Sequence, residues 1–441
     1  MSPQRSQKLS ACVKVAVLCL IITTSLVYLF HSIIDSKRKC ADVKAISATN
    51  TVTGRNRLTA RRRISVPGGI VQSTGAPSVM PVQPCAAASV PLRPSAAVFT
   101  LSSSPRASDS YDLLSRTWHI QIDNSGIHAH WGKLDLEGGV MTVSWGNAEG
   151  QSQLDVINPV DLSDPAEIDL NKRKIARPML YGSFDLTPNV KIEGVFLPTF
   201  EGNSIPKGML KPIEVAKAYE HVSIQYPETN NLDYAQAGFR VNRQKGSTDI
   251  GFQYFYGFLP KLALSDIAVT TDKSLVVKMD YNRYQQIGAD YSAVFGNYRL
   301  RSEIAANITR DLSGDDGSVY NPAMLWSLGF SRLGPEGSQV DVQGSGSVRL
   351  MNDRIGSTAS DTEYGTNMTD TTLLVKITKK FAKDAFELSA SARYGIETAD
   401  CLVKPSVVWA KDKKRIELAC VIFSGQTNAK DSVALSFMQQ F

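Results

Sequence analysis

The sequence predicts an all-β chain, a closed antiparallel transmembrane β-barrel of about 14–16 strands, behind a disordered N-terminal leader. Three observations predict it. Segments of roughly 8–12 residues recur from Trp118 onward in which large apolar side chains alternate with small or polar ones. The hydrophilic faces of these segments are rich in charge, serine and glycine, as suits a hydrated interior. The final segment alternates up to a terminal aromatic, Phe441.

The leader comes first. Arg5, Lys8 and Lys14 precede an apolar run from Val15 to Ile34, so residues 1–35 read as a hydrophobic export signal or anchor. Residues 36–110 are rich in Pro, Ser and Ala, carry Arg61-Arg62-Arg63 and show no sustained period. Such a stretch buries too little apolar surface to offset its ordering entropy, so it reads as a disordered basic linker. Residues 1–106 hold fourteen Lys and Arg against Asp35 and Asp42, which leaves 34 of the 48 basic and 40 of the 42 acidic residues to the rest. The net charge of +6 therefore belongs to the leader, and nucleic-acid binding does not follow for residues 111–441, the expected barrel.

Within 111–441 the alternation is explicit. Ile250, Phe252, Tyr254, Tyr256 and Phe258 share one face, while Asp249, Gly251, Gln253, Phe255 and Gly257 share the other. Ile287, Ala289, Tyr291, Ala293 and Phe295 oppose Gln286, Gly288, Asp290 and Ser292 in the same way. Segments 298–307, 339–350 and 386–394 repeat the pattern. Strands are expected to begin near residues 116, 127, 139, 179, 190, 234, 248, 274, 285, 297, 323, 338, 371, 384, 402, 414 and 432, some of them merging. Short polar helices are expected only at 163–176 and 213–221, and long external loops at 307–322 and 351–370. A soluble sandwich is the competing architecture, but a chain this long would divide into domains with linkers, and none is visible after residue 111. In residues 432–441 Val433, Leu435, Phe437 and Phe441 share a face. This end resembles the signal read by the barrel-assembly machinery, although Gln439 stands where that signal is usually apolar.

The block Val143-Ser144-Trp145-Gly146 followed by Leu154-Asp155-Val156-Ile157-Asn158-Pro159-Val160-Asp161 resembles a family of uncharacterised bacterial outer-membrane barrels related to alginate-export-type and other substrate-specific porins. Arg173–Met179, Ile192–Pro198, Gln236–Arg240 and Thr248–Gly257 continue the likeness, which covers roughly residues 140–260. The resemblance implies a barrel with a transport role and assigns no catalytic residue. Trp145, Gly146, Asp155, Asn158, Pro159 and Asp161 then form either a capped turn, since Asn and Asp bond nearby backbone amides, or a constriction loop.

The alternation turns Arg299, Arg301, Glu303, Asp341, Arg349, Glu387 and Arg393 inward. Facing rows of opposite charge set the selectivity of a pore; the same groups could equally pair off and fill it. His119, His128 and His130 are a candidate metal triad without a carboxylate or thiol at suitable spacing, so no metal or other cofactor is expected. Cys401 and Cys420 could meet across neighbouring strands, but two separate thiols are expected. No nucleophile elbow or phosphate loop supports an enzyme. The expected function is an outer-membrane, porin-like channel for passive diffusion of small polar or amphipathic solutes. Its partners are membrane lipid, the assembly machinery through 432–441 and the solute, with a homo-oligomer left open and nucleic acid excluded. A plugged uptake barrel for hydrophobic compounds is the alternative, and a surface-exposed adhesin the alternative of another class.

Overall fold

A computed structural model describes residues 98–112, 117–163, 167–204, 221–270, 274–358, 360–381, 385–411, 414–425 and 432–439. The signal at 1–35, most of the linker, all but the last residue of the helix expected at 213–221, and Phe441 lie outside the described residues. The strands are β1 (Val98–Asp112), β2 (Thr117–Trp131), β3 (Leu134–Met141), β4 (Arg177–Thr187), β5 (Val190–Leu197), β6 (Val222–Gln225), β7 (Gln236–Lys245), β8 (Thr248–Val269) and β9 (Leu275–Phe295). They continue as β10 (Tyr298–Thr309), β11 (Ala323–Leu333), β12 (Ser338–Arg349), β13 (Thr369–Phe381), β14 (Phe386–Gly395), β15 (Cys401–Lys411), β16 (Lys414–Ser424) and β17 (Ser432–Gln439). All belong to one 17-stranded sheet.

Apart from β6, each strand pairs antiparallel with the next, from Asp112↔Thr117 between β1 and β2 to Lys414↔Gln439 between β16 and β17. The four-residue β6 instead lies parallel to β9, Val222 opposite Leu275. β1 and β17, the two ends of the meander, approach within 8 Å Cα–Cα, and no ladder joins them among the described residues. The first strand begins at Val98, inside the segment expected to be a linker up to residue 110. Pro105 concealed it: proline is tolerated in strands mainly at edges and bulges, and the β1–β2 register shifts between Ser103 and Arg106.

The helix expected over 163–176 is absent from the described part of that stretch, which holds a single 3₁₀ turn at Leu170–Arg173 capped by Asp169. Its backbone is instead used in distant contacts, Leu170 N to Gly150 O and Ile175 N to Pro159 O. The expected strands near 127 and 285 merge into β2 and β9.

Burial is inverted relative to a soluble protein. Phe252, Ile287, Ile304 and Leu328 on one face are 61%, 54%, 54% and 54% exposed. Gln253, Gln286, Glu303 and Asp341 on the other are 3%, 0%, 3% and 5% exposed. An exposed apolar row beside a buried polar row requires an apolar phase outside and partners for the polar groups inside.

The two ends of the meander differ. At one end, two-residue turns join the strands: Gly132-Lys133, Gly246-Ser247 and Gly296-Asn297, each with glycine first at φ of 63°, 62° and 58°. That is the hairpin turn in which only the first central residue needs positive φ. At the other end run the long connections 142–176, 198–235, 310–322 and 350–368. There the β8–β9 hairpin projects beyond its neighbours, since β7 stops pairing at Tyr256 and β10 at Tyr284 while β8 and β9 stay paired to Val269↔Leu275. Leu264, Leu275 and Val277 pack together near its tip. The connections 310–322 and 350–368 fold against it: Tyr320 donates to Leu262 O at 2.6 Å and Leu264 N donates to Thr362 at 2.9 Å.

Candidate functional site

The connection between β3 and β4 does not stay at the end of the sheet. Residues 142–163 and 167–176 turn across its inner face, and their root is apolar: Trp145 and Ile157, each 2% exposed, pack with Met141, Met179, Val195, Leu197 and Phe255. Asn158 closes the base. Its amide donates to Met141 O (3.1 Å) and Ile175 O (2.9 Å) and accepts from Val143 N (2.8 Å), joining the entering and leaving strands of the excursion. Pro159, buried beside it, accepts from Ile175 N at 2.8 Å. Asp155 and Lys174 form a buried ion pair; burial pushes the Asp155 carboxyl up, and the Lys174 ammonium works against it. Asp161 accepts from Ser163 N at 2.8 Å; burial works to raise this carboxyl, yet the bonds from Ser163 and the Arg173 charge hold it below the usual range.

Two strand carboxylates fasten the tip of the excursion, Asp290 on β9 accepting from the Asn147 side chain and Glu303 on β10 taking four donors. Glu303 on β10 accepts from Asn147 N (2.7 Å), Ala148 N (2.9 Å), Gln153 N (2.7 Å) and the Ser152 hydroxyl (2.9 Å). Three inner-face amides hold the backbone on either side: Gln253 donates to Leu154 O (2.7 Å), Gln286 to Gln153 O (3.1 Å) and Gln343 to Gln151 O (2.7 Å). Gly146 makes this close approach feasible. Its φ is +90°, and a Cβ there would collide with the Ser152 hydroxyl and the Glu303 carboxylate.

The inward charges occupy several different settings. Arg301, 6% exposed, pairs with Glu149 of the excursion at 3.0 Å and donates to Ser331 at 2.9 Å. Arg299 is exposed, next to the Gly296-Asn297 turn. Asp341 accepts from Gln339 at 2.8 Å. Arg349 lies at the opposite end, pairing with Glu363 at 3.1 Å and donating to Asn367 O, so it pins the 350–368 connection. Glu387 and Arg393 are half-buried on the inner face of β14. His128 and His130 both point at Asp135, at 3.3 and 2.6 Å, and among the described residues no cluster suited to a metal ion forms. Cys401 lies opposite Ser424 and Cys420 opposite Val433, so the two thiols are out of register.

Between the excursion and the inner faces of β13–β16 lies an opening. Glu149, Glu167, Asp169 and Lys172 bound it on one side; Lys376, Glu387, Lys404, Arg415 and Glu417 bound it on the other. Lys404 reaches across to Glu167 at 2.9 Å, with Lys172 at 3.8 Å. Burial works to raise Glu167, but these two ammonium groups hold it below the usual carboxylate range. Reading the sequence did not single out Glu167, Lys376, Lys404, Arg415 or Glu417. In β15 and β16 Leu402, Val408, Ala419 and Val421 are buried on the inner face, so both faces are apolar in part and the period-two signal fades.

No family model and no curated protein matches this chain. Among solved structures it is similar to Wzi of Escherichia coli, a carbohydrate-binding outer-membrane β-barrel involved in group 1 capsule assembly (11% identity, 78% of each chain, TM-score 0.43). It is similar also to the outer-membrane channel DcaP of Acinetobacter baumannii (9% identity, 80% of this chain and 83% of that one, TM-score 0.41). A third is OpdK of Pseudomonas aeruginosa, solved with vanillate (10% identity, 78% and 86%, TM-score 0.44). Likeness at this level assigns neither a family nor a substrate.

Proposed function

We propose that the chain is a bacterial outer-membrane channel in which β1 and β17 meet to close a barrel around the 142–176 excursion, and that small polar solutes pass beside that excursion. The observation that carries this reading is the inverted burial. The apolar outer rows suit hydrocarbon, and a membrane sheet must close because lipid offers no partner for an open edge. Exposed Phe295 and Tyr298 at the short-turn end and Tyr256 and Tyr226 towards the other suit the aromatic girdles of such barrels. Short turns then face the periplasm and the long connections face outward.

The route is eccentric. The excursion is bonded to β8–β12 and fills that side, which leaves the opening along β13–β16 as the path. This partial filling is also what favours the second reading, a plugged barrel that takes up hydrophobic compounds. Conductance separates the two. Purified full-length protein in a planar bilayer passes steady ionic current on the channel reading and almost none on the plugged one. The barrel itself is tested in detergent gels, where an unheated closed barrel migrates faster than a boiled sample; identical migration would count against closure.

A further inference from the structure

Most ionisable groups around the opening are answered within the protein. Glu167 takes Lys404 and Lys172, Glu417 takes Arg415 at 3.6 Å, Glu149 takes Arg301, and Asp169 accepts from Asn171 N at 3.1 Å. Two are not. Lys376 on β13 and Glu387 on β14 line the opening, and neither makes a hydrogen bond or ion pair among the described residues. Their neighbours in the ladders form no ion pair with them. Asp341, opposite Lys376, is held by Gln339 at 2.8 and 2.9 Å; Lys380, opposite Glu387, is exposed and forms no ion pair with it. A half-buried charge with no partner in the protein is left for water, a mobile ion or a solute to answer.

The two stand at different heights. Lys376 is opposite Ser391, and Glu387 is four residues nearer the β13–β14 turn on the same strand as Ser391, with Ser389 between them on the same face. At the rise of an extended strand that separation is about 13 Å. We propose that this pair selects extended zwitterions of short-peptide length, the solute carboxylate meeting Lys376 and its ammonium meeting Glu387. An extended peptide advances about 3.4 Å per residue, so three to four residues span the pair. Ser391 stands level with Lys376, and Ser389, whose hydroxyl bonds that of Ser406 at 2.8 Å, lies between the two charges. The inference rests on the channel reading.

The test uses full-length protein in liposomes and four probes sharing one backbone: trialanine, its N-acetyl amide (uncharged), its N-acetyl acid (anionic) and its amide (cationic). Trialanine is expected to enter roughly twenty-five-fold faster than the uncharged probe, about fivefold for each of its two contacted unit charges in water. Lys376→Gln and Glu387→Gln should each bring that ratio towards one. The charge exchange, Lys376→Glu with Glu387→Lys, should restore it, because a zwitterion can enter reversed; this control guards against a merely structural effect. Equal entry of trialanine and the uncharged probe, or a ratio untouched by both single variants, overturns the inference and leaves the channel standing. Entry of none of the four, with no ionic current, overturns the channel reading and this inference with it.

Discussion

Replacing Glu303 by alanine removes the acceptor that four donors of the excursion share: three backbone amides, at Asn147, Ala148 and Gln153, and the Ser152 hydroxyl. Hydrogen bonds to a charged group contribute about 1.5–3 kcal/mol when buried, but water enters the opening beside this tip, so about 1 kcal/mol each is the better figure. The loss is then about 4 kcal/mol of docking free energy, close to a thousandfold in the ratio of docked to undocked tip. Glu303→Gln keeps one oxygen and turns an NH₂ group towards the donors on the other side. It should lose roughly half as much, about thirtyfold. The assay is single-channel current together with the reactivity of a cysteine placed at Ala148 towards a water-soluble maleimide. The expected order is wild type, Glu303→Gln, Glu303→Ala, with current noise and labelling rate rising together. Identical labelling in all three would refute the claim that this carboxylate fastens the tip.

Gly146→Ala should reproduce the Glu303→Ala phenotype, since the new methyl collides with that same carboxylate at a φ of +90°; labelling at Ala148 reads it. Asn158→Ala orphans buried groups at both ends of the excursion and should cost about 2–3 kcal/mol, seen as a lower temperature for loss of the fast-migrating gel form. Arg301→Ser should change ion selectivity because it frees Glu149, whereas Arg299→Ser, at the exposed turn, should leave the reversal potential nearly unchanged. Glu167 is held below its ordinary value of 4.5 by Lys172 and Lys404, so its contribution is present above that pH and is lost as pH falls through the lower folded value. Current recorded between about pH 7 and pH 3 should become noisier at the acid end, and Glu167→Gln should be noisy throughout; a wild-type trace flat across that range would argue against the ion pairs.

The strands were legible where the two sides of the sheet differ chemically. In the stretches Ile250–Gln253 of β8, Gln286–Asp290 of β9, Arg301–Ile304 of β10 and Val340–Gln343 of β12, apolar residues turned outward alternate with polar or small ones buried inside, so alternation alone places both faces there. β1 was hidden by Pro105, and the groups of β15 and β16 that line the opening by apolar residues on both faces. The excursion was illegible as a shape. Its fastening bonds join residues more than a hundred positions apart, Asn147 to Glu303 or Gln151 to Gln343, and no local period records such a contact. What the residues did offer was the cluster Trp145, Gly146, Asp155 and Asn158, which all fall within the excursion, as part of its root and its buried ion pair.

Spin labels placed one at a time from Gln286 to Ser292 on β9 test the central claim most directly. Oxygen, which concentrates in lipid, should reach labels at positions 287, 289 and 291, and a water-soluble relaxation agent should be excluded from them; positions 286, 288, 290 and 292 should show little oxygen access. A water-soluble agent that reaches 287, 289 and 291 freely in reconstituted membranes would contradict the inverted faces and everything built on them.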